Sequence, residues 1–440
     1  MGKCMSKYKQ KSKGEKEGFI ARVLLKKHPS SLSILKWTGI SLVIGSLIGS
    51  VSAGFLKSLT WATDYREAHL WLIAFLPVSG FLIGLLYHYY GKEVESGSNL
   101  LIDTIHEPKQ IIPFRMAPFV YVGTIATHFF GGSAGREGTA LQMAGAIADQ
   151  FSKPFRLSAA DRKIVMIAAV AGGFGSVFGT PLAGAIFALE FFLIGRIRYN
   201  ALFPALMTAV IANLVTNLWQ IPHTHYHITI IPTTSFLNIS YAILAGLFFG
   251  VCAAAFSKLM KKSSAFFTSK ISFPPLRPLV GGILVVVIVW AIGTSKFIGL
   301  GIPTIVNAFD QQLPASDFAL KLILTVITLS AGFKGGEVTP LFFIGATLGN
   351  ALGLFIPLPT GLLAGMGFVA VFAGATNTPI ACSVMAIELF GVECGVFVAI
   401  ACVVSYLVSG HTSIYGKQII GEPKNEQFEH ETGKTVNEVD

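Results

Sequence analysis

The chain is poor in charge. Only 13% of its 440 residues are Asp, Glu, Lys or Arg, against the roughly 25% of ordinary soluble domains. A soluble fold of this size could not cover its surface with so few polar side chains. Disorder, coiled coil and collagen are excluded by the same shortage. Cysteine is also scarce: Cys4, Cys252, Cys382, Cys394 and Cys402 form no CxxC or other metal spacing, and an odd count argues against a disulfide framework. No small-residue cleavage site precedes Trp37, which speaks against a cleaved signal peptide. A membrane enzyme would need a clustered nucleophile, metal ligands or an acid–base pair, and nothing of the kind stands out beyond two glutamates described below. The histidines of His223-Thr224-His225-Tyr226-His227 follow Pro222 and read as an exposed connector rather than a metal patch. No cofactor is implied.

What the chain has is apolar mass. Hydrophobic residues make up 52%, with 46 Gly and 35 Phe, the composition of an all-α polytopic membrane protein. The net charge of +10 is unevenly placed. Residues 1–36 carry ten Lys/Arg against Glu15 and Glu17, whereas the tail 417–440 carries three Lys against six acidic residues. A basic arm before the first apolar segment predicts a cytoplasmic N-terminus, and membrane lipid rather than nucleic acid as its partner. Met1–Ser6 also matches a myristoylation pattern, though so short a pattern matches by chance.

Segments long enough to cross about 30 Å of hydrocarbon run from Trp37 to Leu59, Leu70 to Tyr90 and Pro113 to Phe130. Others follow at 164–194, 201–219, 237–257, 279–298, 318–333, 340–372 and 396–409. Glycine clusters interrupt them at Gly131-Gly132, Gly172-Gly173 and Gly335-Gly336. Broken helices are tolerated at membrane depth where the freed backbone lines a cavity or is buried in protein, so transport is the leading expectation.

The chain also repeats itself. Gly135-Arg136-Glu137-Gly138-Thr139 is answered 200 residues later by Gly335-Gly336-Glu337-Val338-Thr339, and the register holds through Leu141/Leu341 and Gly145/Gly345. The run Thr180–Glu190 is answered 198 residues later by Thr378–Glu388. The expected organisation is a basic arm (1–36), a first membrane repeat (37–257), a basic cytoplasmic linker (258–278), a second repeat (279–416) and a short polar cytoplasmic tail (417–440). Interruptions at matching places in two halves point to a midplane binding site. Repetition alone does not say whether the halves are parallel or inverted.

At each break a glycine-rich turn precedes an apolar helix. Such a helix starts with unpaired N–H groups and a partial positive charge, which favour an anion. Two starts facing each other hold an anion without a buried full charge, and that leaves it free to depart. Glu137 and Glu337 are intramembrane carboxylates, functional by default. Glu137 can fill the anion's place itself and vacate it on protonation, so that one group senses both proton and anion. The competing reading of both is a helix-capping Glu. Arg136 is either an anion ligand or, the stronger reading, a partner for carbonyls or a carboxylate.

On these residues the chain resembles the CLC family of chloride channels and anion/proton exchangers. The marks are Gly-Arg-Glu-Gly at 135–138, the turn with Pro340, Gly179–Gly184, Gly299–Pro303 and Tyr415. The resemblance implies two inverted-topology helical repeats with re-entrant helices meeting at a midplane anion site, and a plasma-membrane homodimer with one pore per subunit. Departures narrow it. Thr139 replaces the chloride type's Pro, Glu337 and Thr339 flank Val338 in the second turn, Gly97-Ser98-Asn99-Leu100-Leu101 replaces Gly-Ser-Gly-Ile-Pro, and Phe191 stands where coupled exchangers carry an inner proton-transfer Glu. The Glu–Thr pairs resemble the fluoride-exporting branch, the CLC-type fluoride/proton antiporters, which implies a role in fluoride resistance; Ser98 leans toward the chloride type.

Fluoride holds its water tightly, so a site must replace it with many donors. Thr139 restores an N–H that Pro lacks and adds a hydroxyl, and Thr339 adds another. Glu337 is the natural substitute for the missing inner Glu. The expected gating and proton-transfer residues are therefore Glu137 and Glu337. The expected anion site comprises Ser98, Asn99, Gly135, Arg136, Gly138, Thr139, Val338, Thr339 and Tyr415. Ser98 and Asn99 read equally well as N-capping residues, and Tyr415 as an interfacial aromatic anchor. Glu190 and Glu388 read as structural carboxylates, and His128 as a satisfied core residue. Chloride/proton exchange and a passive anion channel are the alternatives. With 25 residues after Tyr415, no nucleotide-sensing regulatory domain of the cystathionine-synthase type is expected.

Overall fold

The structure, a computed structural model, describes residues 29–439. The myristoylation pattern, Cys4 and most of the basic arm lie outside these residues.

The described chain is helical, and its helices recur in one order. The first half runs α1 (Pro29–Ala68), α2 (Leu76–Tyr90), α3 (Ser98–His106), α4 (Met116–Phe129), α5 (Glu137–Gln150), α6 (Ala159–Phe178), α7 (Pro181–Glu190) and α8 (Leu202–Leu218). The second runs α9 (Phe236–Lys270), α10 (Leu276–Ile292), α11 (Ile302–Asp310), α12 (Asp317–Ser330), α13 (Val338–Leu352), α14 (Thr360–Thr376), α15 (Pro379–Phe390) and α16 (Gly395–Val408). Each helix from α1 to α8 has its counterpart eight places on.

This order corrects the expected boundaries. The basic stretch 258–278 is no separate linker, because α9 continues unbroken to Lys270 and α10 begins at Leu276. Long α9 is the counterpart of long α1, so the second half starts at Phe236. The apolar run 340–372 is also two helices, and hydropathy alone hides the turn at 353–359. The short α3 and α11 are absent from the expected spans; nine residues are too few to register as one.

The same local device ends α6 and α14. Gly179 at φ +75° and Asn377 at φ +60° take the left-handed conformation, closing each helix. Pro181 and Pro379 then open α7 and α15, where a missing N–H costs nothing. The paired short helices bind each other through carboxylates. Glu388 accepts from the Leu182 and Ala183 N–H groups at 3.0 and 2.8 Å, and Glu190 accepts from those of Ile380 and Ala381 at 3.3 and 2.8 Å. Each helix thus ends at the start of its counterpart, an antiparallel exchange that reflects the inverted halves. Within the second half, α13 and α14 cross where Gly345 and Gly349 meet the backbone of Gly367 and Leu363; a Cβ on any of these three glycines would lie 2.0 Å from a carbonyl oxygen. Small residues permit such close helix contact in membranes.

The tail folds back onto the bundle. β1 (Leu193–Ile194) and β2 (Ile419–Ile420) pair in parallel. Buried Gln418 donates to the carbonyls of Phe191 (2.6 Å) and Thr376 (2.7 Å), and its amide oxygen accepts from Asn377 and Ser413.

Candidate functional site

The two glycine breaks meet. Gly135 and Gly336 form an isolated antiparallel bridge, each N–H donating to the other's carbonyl at 2.6 and 2.8 Å. A Cβ on Gly135 would lie 2.8 Å from Gly336 O and 2.9 Å from a Glu137 oxygen, and one on Gly336 would lie 2.7 Å from the Gly138 N. Only glycine lets the starts of α5 and α13 come this close.

Glu137 is fully buried, and its carboxylate reaches across to the other half. Thr339 Oγ1 donates to Oε1 at 2.5 Å, the Thr339 N–H donates to Oε2 at 3.1 Å, and the Arg136 N–H donates to Oε2 at 3.2 Å. Arg136 Nε lies 3.5 Å from Oε1 without hydrogen-bond alignment, so it contributes charge rather than a directed bond. The carboxylate therefore sits at the N-terminus of α13, where an anion is favoured.

Glu337 precedes α13 and makes no capping hydrogen bond. Its Oε2 lies 3.6 Å from where a Gly138 side chain would begin, and the residue lines a cavity of about 150 Å³. Ser98, Asn99 and Tyr415 line the same cavity. Ser98 opens α3 behind Gly97 (φ +58°) with no side-chain cap. Asn99 Oδ1 accepts from the Lys417 N–H at 3.2 Å, tying the turn to the tail. Tyr415 is buried, its ring edge-on to Phe191 at 5.8 Å, and its hydroxyl has no partner. An orphaned buried hydroxyl beside a cavity is unusual and is free to donate to an occupant. Phe191 belongs to a buried aromatic column with Phe187, Phe174, Phe372, Phe342 and Phe368.

Other expected residues are placed differently. Thr139 Oγ1 pairs with Thr124 Oγ1 at 2.6 Å, both buried, so its hydroxyl joins α5 to α4 instead of meeting the Glu137 carboxylate. Val338 is buried in the first turn of α13. His128 lies among carbonyls, with Nδ1 2.9 Å from Thr124 O and Nε2 3.0 Å from Ala134 O. Gln142 and Lys334 line the cavity and were missed. Lys334 adjoins the Gly335 break in sequence, a signal that was available; Gln142 carries none.

The family described as "Voltage gated chloride channel" matches residues 79–410. A chloride/fluoride channel protein of Pseudomonas syringae pv. tomato is 50% identical over 409 residues, covering 91% of this chain and 90% of that protein. An H(+)/Cl(-) exchange transporter of Klebsiella pneumoniae is 25% identical, covering 85% and 84%. The crystal structure of a CLC-type fluoride/proton antiporter superimposes with a TM-score of 0.85 at 35% identity, covering 88% of this chain and 98% of that one. A slow cyanobacterial Cl-/H+ antiporter, at TM-score 0.74 and 19% identity over 92% and 96% of the chains, shares the fold.

Proposed function

We propose, from the premise that this chain belongs to the CLC family, that it exports fluoride in exchange for protons. Members of this family are transporters or channels, so the chain is an ion-transport protein and not an enzyme. The finer reading rests on one observation: the Glu137 carboxylate occupies the N-terminus of α13, held by the N–H and hydroxyl of Thr339. In this reading fluoride takes the same donors once Glu137 is protonated and withdraws. Glu337, beside Gly138 and facing the Tyr415 cavity, trades protons with Glu137 or with water, since Phe191 cannot. Ser98, Asn99 and the free Tyr415 hydroxyl receive the anion at the inner mouth, and the glycine N–H groups at the break line its path. The basic arm orients this mouth and both termini toward the cytoplasm, in a plasma membrane and as a homodimer with one pore per subunit.

Ser98 in the cavity wall favours the second reading, chloride/proton exchange. Reconstituted liposomes decide between them, with fluoride, chloride and nitrate fluxes recorded alongside pH. Fluoride should move well ahead of chloride and drive protons against their gradient. Equal or greater chloride flux removes the fluoride assignment. Anion flux without proton movement leaves a passive channel.

A further inference from the structure

The turn that opens α3 has a counterpart. Gly301 (φ +72°) opens α11 as Gly97 opens α3, and both helices are nine residues long. The first turn lines the Tyr415 cavity with Met260 of α9. The second lines another cavity, of about 320 Å³, with Thr63, Arg66 and Glu67 of α1, the counterpart of α9. Because the halves are inverted, this second cavity faces the opposite side of the membrane.

A cationic side chain stands deep in its wall. The Arg66 side chain is only 4% exposed. Its Nη1 donates to His128 O at 2.9 Å and its Nη2 to Glu67 Oε1 at 3.2 Å, while Nε–H has no acceptor. Gly299 packs beside it in the left-handed region (φ +57°), and a Cβ there would lie 2.5 Å from Nη1. Behind the turn, fully buried Lys321 donates to the carbonyls of Phe297 and Gly299 at 3.0 and 2.7 Å and meets no carboxylate among the described residues. Lys296 lines the cavity too but is paired with buried Asp317. Glu67 lies at the rim, 58% exposed, where solvent screens it. A buried guanidinium and a helix start therefore line the cavity together, with Glu67 at its solvent rim. An ionisable side chain held at this depth in a cavity wall is a functional candidate by default.

We propose that this cavity is a second anion-binding site, in which Arg66 and the start of α11 hold a small inorganic anion on the membrane face opposite the Tyr415 cavity. The inference needs the chain to handle anions, and does not need the anion to be fluoride. Arg66 supplies charge and a directed bond from its guanidinium fork, and Lys321 fixes the turn from behind.

Equilibrium dialysis of the purified full chain in detergent tests it, with sodium fluoride read by a fluoride electrode and labelled chloride in a second arm. Wild type should bind one more fluoride ion per chain than Arg66→Gln. Arg66→Lys, which keeps the charge and loses the planar fork, should bind the same number with affinity at this site weakened about tenfold, the loss of one directed bond. Should Arg66→Gln fail to fold, Arg66→Lys carries the test. Equal stoichiometry in a folded Arg66→Gln, or unchanged affinity in Arg66→Lys, overturns the proposal. If wild type binds chloride and not fluoride here, and Arg66→Gln loses that chloride, the site stands while the fluoride reading fails.

Discussion

Glu137 takes both hydrogen bonds that Thr339 has to give, although the two residues are 202 positions apart and belong to different halves. The hydroxyl serves one carboxylate oxygen and the backbone N–H the other. Thr339→Val removes the hydroxyl donor and keeps the N–H and the shape. A hydrogen bond to a charged group contributes about 1.5–3 kcal/mol, so the half-saturating fluoride concentration should rise about tenfold or more. Liposome flux at graded fluoride measures this. Wild-type half-saturation would show that the hydroxyl serves only the carboxylate.

Glu137→Gln keeps the size of the side chain but can neither take up nor release a proton. An imposed fluoride gradient should then move no protons, read with a pH electrode outside the vesicles. Proton pumping at the wild-type level removes Glu137 as the coupling group.

Glu337 makes no capping bond and faces the cavity. Glu337→Gln should slow exchange or weaken its dependence on the proton gradient, while the thermal midpoint in detergent stays at the wild-type value. A lowered midpoint with wild-type coupling would make Glu337 a structural residue.

The carboxylates of Glu190 and Glu388 each serve two N–H groups at the start of the other half's helix. Glu190→Ala should destabilise the protein by about 1–3 kcal/mol, because it leaves buried donors unpaired. Glu388→Ala should cost less, since its site is partly open to solvent. Thermal unfolding in detergent checks the order, and an unchanged midpoint in Glu190→Ala contradicts it.

Gln418 is fully buried, and its side chain bonds four groups that bring the tail, the end of α7 and the end of α14 together. Gln418→Leu should cost about 2–4 kcal/mol, as the Phe191 and Thr376 carbonyls lose their donors. It should also expose the tail to protease. A tail that stays resistant would mean that β2 alone holds it.

Membrane class, the two halves, the breaks and the place of Glu137 at one of them are all legible in the chain, because each is written locally in hydropathy, glycine placement and repetition at a fixed offset. The family was legible too, from the Gly-Arg-Glu-Gly run and its neighbours. Helix boundaries inside long apolar runs were not, since a turn between two buried helices is as apolar as they are: 340–372 concealed the division between α13 and α14. The start of the second half is hidden because the basic end of α9 looks like a linker until its length is matched to α1. Tertiary structure alone decided which groups meet. It gave Thr339 to Glu137 and Thr139 to Thr124, left the Tyr415 hydroxyl without a partner, brought Gln142 and Lys334 to the cavity, and set Arg66 against the turn that opens α11. The reason is physical: hydropathy and turn chemistry act over a few residues, whereas these contacts join residues from 15 to more than 200 positions apart, and inverted packing of the halves selects them.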